Sequence, residues 1–425
     1  MPSRSEVSYF GAGPAPLPTP VLESAASALL NYNNTGIGIT ELSHRSADAL
    51  AILSATQSAL RHLLDIPDSP GADGYQILFL QGGGSGEFSA AVYHMTSIHI
   101  GALVAAGTPD ADIRAAAARM KLDYLVTGSW SLKASQEAAR LVGAEHVNIV
   151  TDSRQHTPDS KFGTIAPAST WRPTPTATGD VALTYYCDNE TVDGVEFPSA
   201  PSGPNLVADM SSNFLSRAVD VKAHAAIFGG AQKNIGTTGI TLAIISNSIL
   251  PPHATMADPK LLRKLGLPVG PVVLDWPTIA KNNSLYNTLP IFDLWIAGQV
   301  MARLLSHSPS GTTPRISVQE RESVHKATLL YSTLDAHPTT YTVVPATSVR
   351  SRMNICFRVA AGDVSAEKAF LQGAEARGLL GIKGHRSVGG MRASNYNAVS
   401  VAAVEKLVAW LEEFARERGG GGGEE

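Results

Sequence analysis

The sequence has few of the features that mark secreted, membrane-spanning or nucleic-acid-binding proteins. Its 425 residues include only two cysteines, Cys187 and Cys356, which cannot form a disulfide framework, so a reducing compartment such as the cytoplasm is expected. No apolar run approaches about 20 residues, which predicts no membrane span, and the first residues lack the apolar core of a secretory signal. The formal net charge of −4 argues against nucleic acid as the main partner, because no basic excess would follow a phosphate backbone.

Short apolar runs alternate with helical or loop segments along most of the chain. The composition, 44% hydrophobic and 16% charged, is sufficient for a sizeable core. The alternation predicts an α/β fold with a mostly parallel sheet that is covered by helices on both faces. The expected strands are residues 77–80, 146–150, 181–186, 205–210, 225–230 and 240–245.

The length favours two packed domains, and a polar stretch near residue 308 separates them. We expect an N-terminal arm over residues 1–16 that packs with the small domain, and a large cofactor-binding domain over 17–308. A small C-terminal α+β domain over 309–418 and a flexible glycine-rich tail over 419–425 complete the prediction.

Three helices and one small-domain strand are predicted in more detail. Thr19 and Pro20 are typical of an N-cap and a first helical position. The next helix should bury one face with a 3.6-residue period, formed by Leu50, Leu53, Leu60 and Leu64. In the small domain, residues 352–359 predict a strand. A helix over 399–417 should bury Val401, Val404, Val408, Leu411 and Ala415.

Ligands of open α/β sheets gather beyond the carboxyl ends of the strands, which directs attention to a glycine-rich turn after the first expected strand. Residues 81–88 read QGGGSGEF. Glycine lets the backbone approach an anion, and the amides that open the next helix can bind phosphate. The spacing matches neither the dinucleotide fingerprint nor the Walker lysine loop, and alone it fits a simple tight turn equally well.

Three other residues are candidates for a site at this edge of the sheet. Asp209 ends LVAD, where a site carboxylate and a cap for the next segment are equally good interpretations. Lys233 lies in GGAQKNIG between two buried strands, which favours a functional amine with a lowered pKa that can form an imine. Trp130 in TGSWS is by itself typical of a core anchor.

Basic residues cluster in KGHRSVGGMRAS, residues 383–394, and in SHRS, residues 43–46. Arginine in a glycine-rich loop suits bidentate binding of carboxylate or phosphate, although any one of these residues is also typical of surface charge. Three parts of a pyridoxal-phosphate site are therefore present: a phosphate cradle, a carboxylate 24 positions before a lysine, and an aromatic residue between the cradle and the carboxylate.

From about residue 9 to 416 the sequence resembles the phosphoserine aminotransferases, a class-V family of fold-type-I pyridoxal-phosphate enzymes. The resemblance rests on FGAGPAPLP, ELSHRS, LFLQGGGSGEF, YCDNETVDGVEF, VADMSSNFLSRAVDV, GAQKNIGTTGIT, LYNTLP, SRMNICF and KGHRSVGGMRASNYNA. The lysine motif and the last, arginine-rich motif are the most specific of these.

The resemblance implies a role for each matched residue at the cofactor. Lys233 would hold pyridoxal phosphate covalently, Asp209 would pair with the pyridine nitrogen, and Trp130 would stack on the ring. A hydroxyl near the phenolic oxygen is implied at Thr191. The implied phosphate ligands are Gly84, Ser85 and Gln232, with Asn287 and Thr288 reaching the phosphate from the second subunit of a homodimer.

The resemblance also implies the substrates. Arg392 would bind the α-carboxylate, and the substrate phosphate would lie among His44, Arg45, His385 and Arg386, the first two from the partner subunit. The implied reaction transfers an amino group reversibly between glutamate and 3-phosphohydroxypyruvate, giving 2-oxoglutarate and O-phosphoserine in serine biosynthesis. No metal is implied.

Three other functions are compatible with the same cofactor class or fold. A lyase or desulfurase would need an exposed, reactive cysteine, which neither Cys187 nor Cys356 is expected to be. An alanine-, serine- or glyoxylate-type aminotransferase would not need the paired His-Arg motifs. A scaffold without chemistry would not need Lys233, Asp209 and Arg392 together.

Two features depart from the family pattern. Bacterial relatives often carry arginine in the glycine loop where this chain has Ser85. The stretch between Lys233 and Asn287 is also longer than in compact bacterial members and contains PVVLDWPTIAKNN. We expect this insertion to be a surface or interface loop.

Overall fold

The fold is described by a computed structural model that covers residues 3–309 and 314–419. The helices are α1 (Thr19–Ala28), α2 (Ala47–Leu64), α3 (Gly83–Ala105), α4 (Asp110–Arg119), α5 (Ser129–Val142), α6 (Pro259–Lys264), α7 (Trp276–Lys281), α8 (Ile291–Ser306), α9 (Ser317–Ala336), α10 (Val364–Ala376) and α11 (Val401–Gly419). The strands are β1 (Ser8–Tyr9), β2 (Tyr75–Leu80), β3 (Lys121–Val126), β4 (Val147–Asp152), β5 (Val181–Cys187), β6 (Asn189–Glu190), β7 (Val195–Glu196), β8 (Leu206–Asp209), β9 (Ala226–Gly230), β10 (Thr241–Ser246), β11 (Tyr341–Val343), β12 (Asn354–Val359), β13 (Leu379–Leu380) and β14 (Met391–Ser394).

The large sheet confirms the predicted α/β class. Its strand order is β2-β10-β9-β8-β5-β3-β4, with parallel pairing from β9 through to β4 and β10 antiparallel to both of its neighbours. Each of the six predicted strands is present. Sequence reasoning missed β3 because Lys121 and Asp123 interrupt its apolar run. Asp123 is nevertheless buried, since its carboxylate accepts hydrogen bonds from Asn148 Nδ2 at 3.0 Å and Thr174 N at 2.9 Å.

Both faces of this sheet are covered, as expected for a mostly parallel sheet. One face packs against α2 and α8, and the other packs against α3 and α5. Helix α3 is, among the described residues, the one helix long and apolar enough to cross a membrane by length and composition. The sequence reading overlooked it because serines and histidines interrupt its apolar residues. Its most apolar window is 67% buried inside the protein, as in the core helix of a globular domain.

The first two helices depart slightly from prediction. Helix α1 begins at Thr19, so Pro18 rather than Thr19 is the N-cap, and the Thr19 hydroxyl instead accepts a hydrogen bond from Arg4 Nε at 3.0 Å. In α2 the predicted face is buried at Leu53, Leu60 and Leu64, but Leu50 is 45% exposed.

The C-terminal part of the chain forms its own three-stranded antiparallel sheet, β11-β12-β14, packed against α9, α10 and α11. The predicted strand over 352–359 is present as β12. Helix α11 buries Val404, Leu411 and Ala415 of the predicted face, whereas Val401 and Val408 are only half-buried. Leu407 and Phe414 are also buried, so the buried face is centred slightly away from the predicted one. The predicted boundary at 308 and 309 adjoins residues 310–313, and most of the predicted tail, residues 420–425, lies outside the described residues.

The N-terminal arm contacts both parts of the chain. Its strand β1 pairs in parallel with β13, and Phe10 lies in the apolar cluster of the C-terminal part. Further along, Ala15 N donates to the Gln232 carbonyl at 2.8 Å. The arm therefore joins the C-terminal part to the turn that carries Lys233.

The insertion before Asn287 is not the surface loop that the sequence predicted. Its Trp276 begins α7 and is completely buried, and its Nε1 donates to Glu87 Oε2 in α3 at 3.1 Å. Ile279 is buried on the same helix. The insertion therefore contributes to the core on one face of the large sheet, although Val272 and Val273 remain exposed.

Candidate active site

The candidate residues gather at one edge of the large sheet. The glycine loop follows β2, Trp130 follows β3, and Thr191 follows β5. Asp209 is the last residue of β8, and Lys233 comes three residues after β9. Because parallel strands present their carboxyl ends at the same edge, the topology brings these five chain segments together.

Lys233 lies in a turn of small residues and is partly buried. Its Nζ donates a hydrogen bond to the carbonyl of Ala12 in the N-terminal arm and lies 5.6 Å from the centre of the Tyr396 ring. Burial, reinforced by the positive charge of Arg392 and opposed by Asp209, lowers the pKa of the amine to about 8. A substantial fraction of unprotonated, nucleophilic amine is therefore present near neutral pH.

Asp209 is a buried carboxylate that has no cationic partner among the residues the structure describes. Its Oδ1 accepts hydrogen bonds from Ser211 N at 2.8 Å and Ser211 Oγ at 2.6 Å, so it does cap the following turn. Burial raises its pKa. The cap uses Oδ1 alone, and Oδ2 faces the glycine loop, where an added Cβ at Gly84 would lie 3.6 Å away. The two interpretations of Asp209 are thus compatible.

The glycine loop leaves backbone amides at the start of α3 without a hydrogen-bond acceptor inside the helix. Gly82 and Gly83 have φ angles of +122° and +63°, which strongly favour glycine, and α3 begins at Gly83. The amides of Gly84 and Ser85 belong to the first turn, where no intrahelical acceptor exists. They are therefore available to an anion at the helix N-terminus.

Trp130, Thr191 and Gln232 surround the same edge. Trp130 is half-buried in the first turn of α5, with Lys133 Nζ 4.1 Å from the centre of its ring. Thr191 is buried, and its carbonyl accepts a hydrogen bond from Arg392 Nη1 at 3.0 Å. Gln232 is half-buried beside Lys233, with no side-chain hydrogen bond among the described residues.

Arg392 and His385 line a cleft of about 1150 Å³ that lies between the two parts of the chain. Arg392 is 9% exposed, and its Nε has no hydrogen-bond partner in the described structure. The pKa of His385 is lowered by partial burial and by the nearby positive charges of Arg392, Lys133 and Arg386. Within residues 3–309 and 314–419, none of these three basic side chains forms a salt bridge. This end of the cleft therefore attracts anions.

The remaining candidates are two pairs of residues, one before α2 and one before α8. His44 and Arg45 precede α2, and their side chains form no hydrogen bond or salt bridge in the part of the chain that is described. Asn287 and Thr288 are exposed. Asn287 Nδ2 donates to Gln81 Oε1 at 2.8 Å, and Gln81 Nε2 donates to the Thr288 carbonyl at 2.8 Å, which places both residues beside the start of the glycine loop of the same chain.

Comparisons with known proteins decide the family. The family Aminotransferase class-V matches residues 174–407. Phosphoserine aminotransferase from Saccharomyces cerevisiae is 41% identical over 97% of this chain and 98% of its own length. The chain belongs to the phosphoserine aminotransferase family of class-V aminotransferases.

Solved structures of this family share the whole fold. Phosphoserine aminotransferase from Bacillus circulans subsp. alkalophilus superposes with a TM-score of 0.78 at 32% identity, covering 96% of this chain and 98% of that one. The pyridoxal-phosphate-bound enzyme from Trichomonas vaginalis gives 0.77 at 32% identity, with 96% and 99% covered. These matches confirm the fold type that the sequence resemblance implied.

The residues present fit the cofactor of the aminotransferase family. Asp209 is a buried carboxylate that lacks a cation, and a protonated pyridine nitrogen would supply one. Gly84 leaves space beside Asp209 Oδ2 and Ser211 Oγ, which a Cβ would approach to 3.6 and 3.2 Å. Open amides at the start of α3 suit a phosphate, and Lys233 supplies an amine of lowered pKa.

Sequence reasoning missed several residues that hold this site of the aminotransferase together. Glu190 and Asp193 are buried carboxylates on either side of Thr191, and both accept hydrogen bonds from the N-terminus of α5. Their flanking position in NETVD was the available signal. Ala12 and Tyr396 contact Lys233 from distant parts of the chain, which no local pattern indicates.

Neither cysteine suits a desulfurase. Cys187 ends β5 and Cys356 lies in β12, and both are buried. Burial raises the pKa of both thiols, to about 12 for Cys356, which disfavours the reactive thiolate.

Proposed function

We propose that the protein transfers the amino group of L-glutamate reversibly to 3-phosphohydroxypyruvate, giving O-phospho-L-serine and 2-oxoglutarate in serine biosynthesis. The observation that carries this proposal is that two features occur together. One is the Lys233 amine of lowered pKa, and the other is a group of basic residues that attracts anions, namely Arg392, His385 and Arg386. Relatives that are about 40% identical over nearly their full length are named phosphoserine aminotransferase.

Pyridoxal phosphate is the proposed cofactor, and when bound it supplies a carbonyl carbon for the amino group and a ring that accepts negative charge. Lys233 would hold it through its amine, Asp209 would favour protonation of its pyridine nitrogen, and Trp130 would contact its ring. Thr191 would lie near the phenolic oxygen. The phosphate of the cofactor would be bound by Gly84, Ser85 and Gln232. The Lys233 amine would also serve as the base that moves the proton at the substrate Cα.

Arg392 binds the α-carboxylate that both amino donors carry. The support for this role is its near-complete burial, its unpaired Nε and the hydrogen bond that fixes one of its terminal nitrogens to the Thr191 carbonyl. A guanidinium held in this way is preorganised for a bidentate contact. His385, which lines the cleft, and the exposed Arg386 next to it receive the substrate phosphate.

We propose that the active protein is a homodimer with shared sites. His44 and Arg45 would then reach the partner's substrate phosphate, and Asn287 and Thr288 would reach its cofactor phosphate. Two observations support this. The side chains of His44 and Arg45 have no partner in the described part of one chain, and apolar side chains are exposed nearby in sequence, namely Leu29, Leu30, Ile37 and Leu50. Such a patch favours an interface.

We also propose a cytoplasmic location, with no nucleic-acid or membrane partner. Two unpaired, buried cysteines and the modest negative net charge support this proposal. Fractionation of the native source, with an antibody against the chain, tests it directly.

One coupled assay tests the activity. With 2-oxoglutarate as acceptor, we expect phosphoserine to be used with a kcat/KM at least about a hundredfold above that of serine, because serine leaves the basic cluster unpaired. Comparable rates with the two donors would contradict the substrate assignment.

A further inference from the structure

Glu190 is a fully buried carboxylate that the proposed chemistry does not use. Its Oε1 accepts hydrogen bonds from Ser131 N at 2.9 Å and Ser131 Oγ at 2.5 Å, and its Oε2 accepts one from Trp130 N at 2.8 Å. No cationic side chain pairs with it in residues 3–309 and 314–419. All of its hydrogen-bond donors therefore belong to the first turn of α5.

This arrangement replaces an ordinary helix cap. The N-cap of α5 is Gly128, which has no side chain that could accept a hydrogen bond. The acceptor is instead Glu190, which ends a different strand. An added Cβ at Gly128 would lie 2.3 Å from Glu190 Cγ, and the close approach therefore requires glycine. A serine or aspartate at the N-cap would cap the helix without burying a lone carboxylate. Burial raises the pKa of Glu190 to about 8, so the arrangement is costly for stability alone.

The cap formed by Glu190 also holds the backbone of Trp130. This tryptophan lies in the first turn of α5, and its own amide is one of the donors to Glu190. The neighbouring Asp193 holds Ser129 through its N and Oγ, both at 3.0 Å from Asp193 Oδ2. Between the two carboxylates, the Thr191 carbonyl holds Arg392. One short segment thus fixes the ring at the cofactor and the guanidinium at the substrate relative to each other.

We propose that Glu190 is a positioning residue of the reaction, which acts through Trp130 by holding the backbone of its helical turn against the cofactor site. The inference rests on the proposed role of Trp130 at pyridoxal phosphate. It concerns the orientation of the ring and not the affinity for substrate.

The test compares Glu190→Gln with Glu137→Gln in the cofactor-bound protein. Glu137 is in the same helix and accepts a hydrogen bond from Ser89 Oγ at 2.6 Å, so the control makes the same chemical change away from the site. The glutamine at 190 turns an NH₂ towards a backbone donor. We expect kcat for phosphoserine to fall about tenfold with KM within about twofold, and the visible circular dichroism of the bound cofactor to change. Glu137→Gln should leave both unchanged.

A double-mutant cycle separates positioning from general stability. In a Trp130→Ala background, Glu190→Gln should alter kcat by less than about twofold, because its effect passes through the missing ring. The same tenfold loss in both backgrounds would overturn the proposal, as would identical dichroism in Glu190→Gln and the control. If Glu190→Gln does not fold, Ser131→Ala removes one donor to the same carboxylate. It should change the visible dichroism of the bound cofactor relative to the wild type, and an unchanged spectrum would also overturn the proposal.

The spectral measurement needs no turnover. Wild-type protein that binds the cofactor but does not use phosphoserine would contradict the proposed substrate, while the dichroism of the variants would still decide the role of Glu190.

Discussion

Alanine substitutions at Arg392 and Arg386 should separate the two parts of the proposed substrate site. One part binds the α-carboxylate that both amino donors share, and the other binds the side-chain end, where phosphoserine and glutamate differ. Arg392 is 9% exposed, and in the proposed reaction it binds the α-carboxylate of either donor. Arg386 is exposed, and it belongs to the same basic motif, residues 383–394, as Arg392. A charge-assisted hydrogen bond contributes roughly 1.5–3 kcal/mol, which corresponds to about ten- to a hundredfold in kcat/KM. We expect Arg392→Ala near the upper end, because burial reduces screening, and Arg386→Ala near the lower end.

The assay is a single-turnover measurement of each half-reaction, followed through the absorption of the bound cofactor. Phosphoserine and glutamate are supplied separately as amino donors. Arg392→Ala should slow both half-reactions by similar factors, whereas Arg386→Ala should slow the phosphoserine half-reaction more, since a phosphate carries nearly two charges and the glutamate side chain carries one. Arg140→Ala, which removes an exposed arginine paired only with Glu137 on α5, is the matched control.

Equal losses with the two donors in Arg386→Ala would refute the assignment of this arginine to the phosphate. A selective loss with one donor in Arg392→Ala would refute a shared α-carboxylate site. Arg140→Ala should match the wild type in both half-reactions, and any loss there would set the scale for non-specific effects.

Further predictions follow from the same geometry. Lys233→Ala should stay folded and bind pyridoxal phosphate reversibly with negligible turnover, and borohydride reduction of the wild type should label Lys233; a label on another lysine would exclude it. Because the pKa of Lys233 is lowered to about 8 and only the free amine reacts, cofactor uptake by the cofactor-free protein should speed up from pH 6 to 8 and level off above about 9; a rate still rising steeply at pH 10 would indicate an unshifted lysine. Asp209→Asn keeps the cap on Ser211 but loses the charge, so turnover should fall by on the order of a hundredfold or more with the fold intact; near-normal turnover would leave Asp209 as a cap alone. Mixing inactive Lys233→Ala and Arg45→Ala proteins should restore part of the activity, since one hybrid site has both residues; no recovery despite subunit exchange would contradict shared sites.

The fold was predictable wherever the apolar pattern is local and uninterrupted. The strands before and after Lys233 are continuous apolar runs and were located correctly, while β3 was missed because Asp123 looks like a surface residue until its partners on neighbouring segments are known. Trp276 was assigned to a surface loop for the same reason, since its burial depends on a contact with Glu87 that is 189 residues away.

The residues of the candidate site also fall into two groups: those that a local sequence pattern indicates, and those whose role depends on contacts with distant parts of the chain. Lys233 and Asp209 could be found because the carboxyl ends of parallel strands place them by rule. Glu190 could not, because its role depends on the glycine at 128 and on a helix that begins about 60 residues earlier in the chain. His44 and Arg45 were singled out as part of a basic cluster, but their role at the partner's site came from the resemblance alone. A single chain offers them no partner among its described residues.

The N-terminal arm has a practical consequence for handling the protein. Its strand β1 is hydrogen-bonded to β13, and three residues after β1 the Ala12 carbonyl accepts a hydrogen bond from the Lys233 amine. Gly13 leaves no room for a side chain there, since an added Cβ would lie 2.2 Å from Lys233 Nζ. A purification tag fused close to residue 8, or trimming of the first dozen residues to aid crystallisation, would therefore disturb the reactive amine directly. Tags are better placed after the last helix.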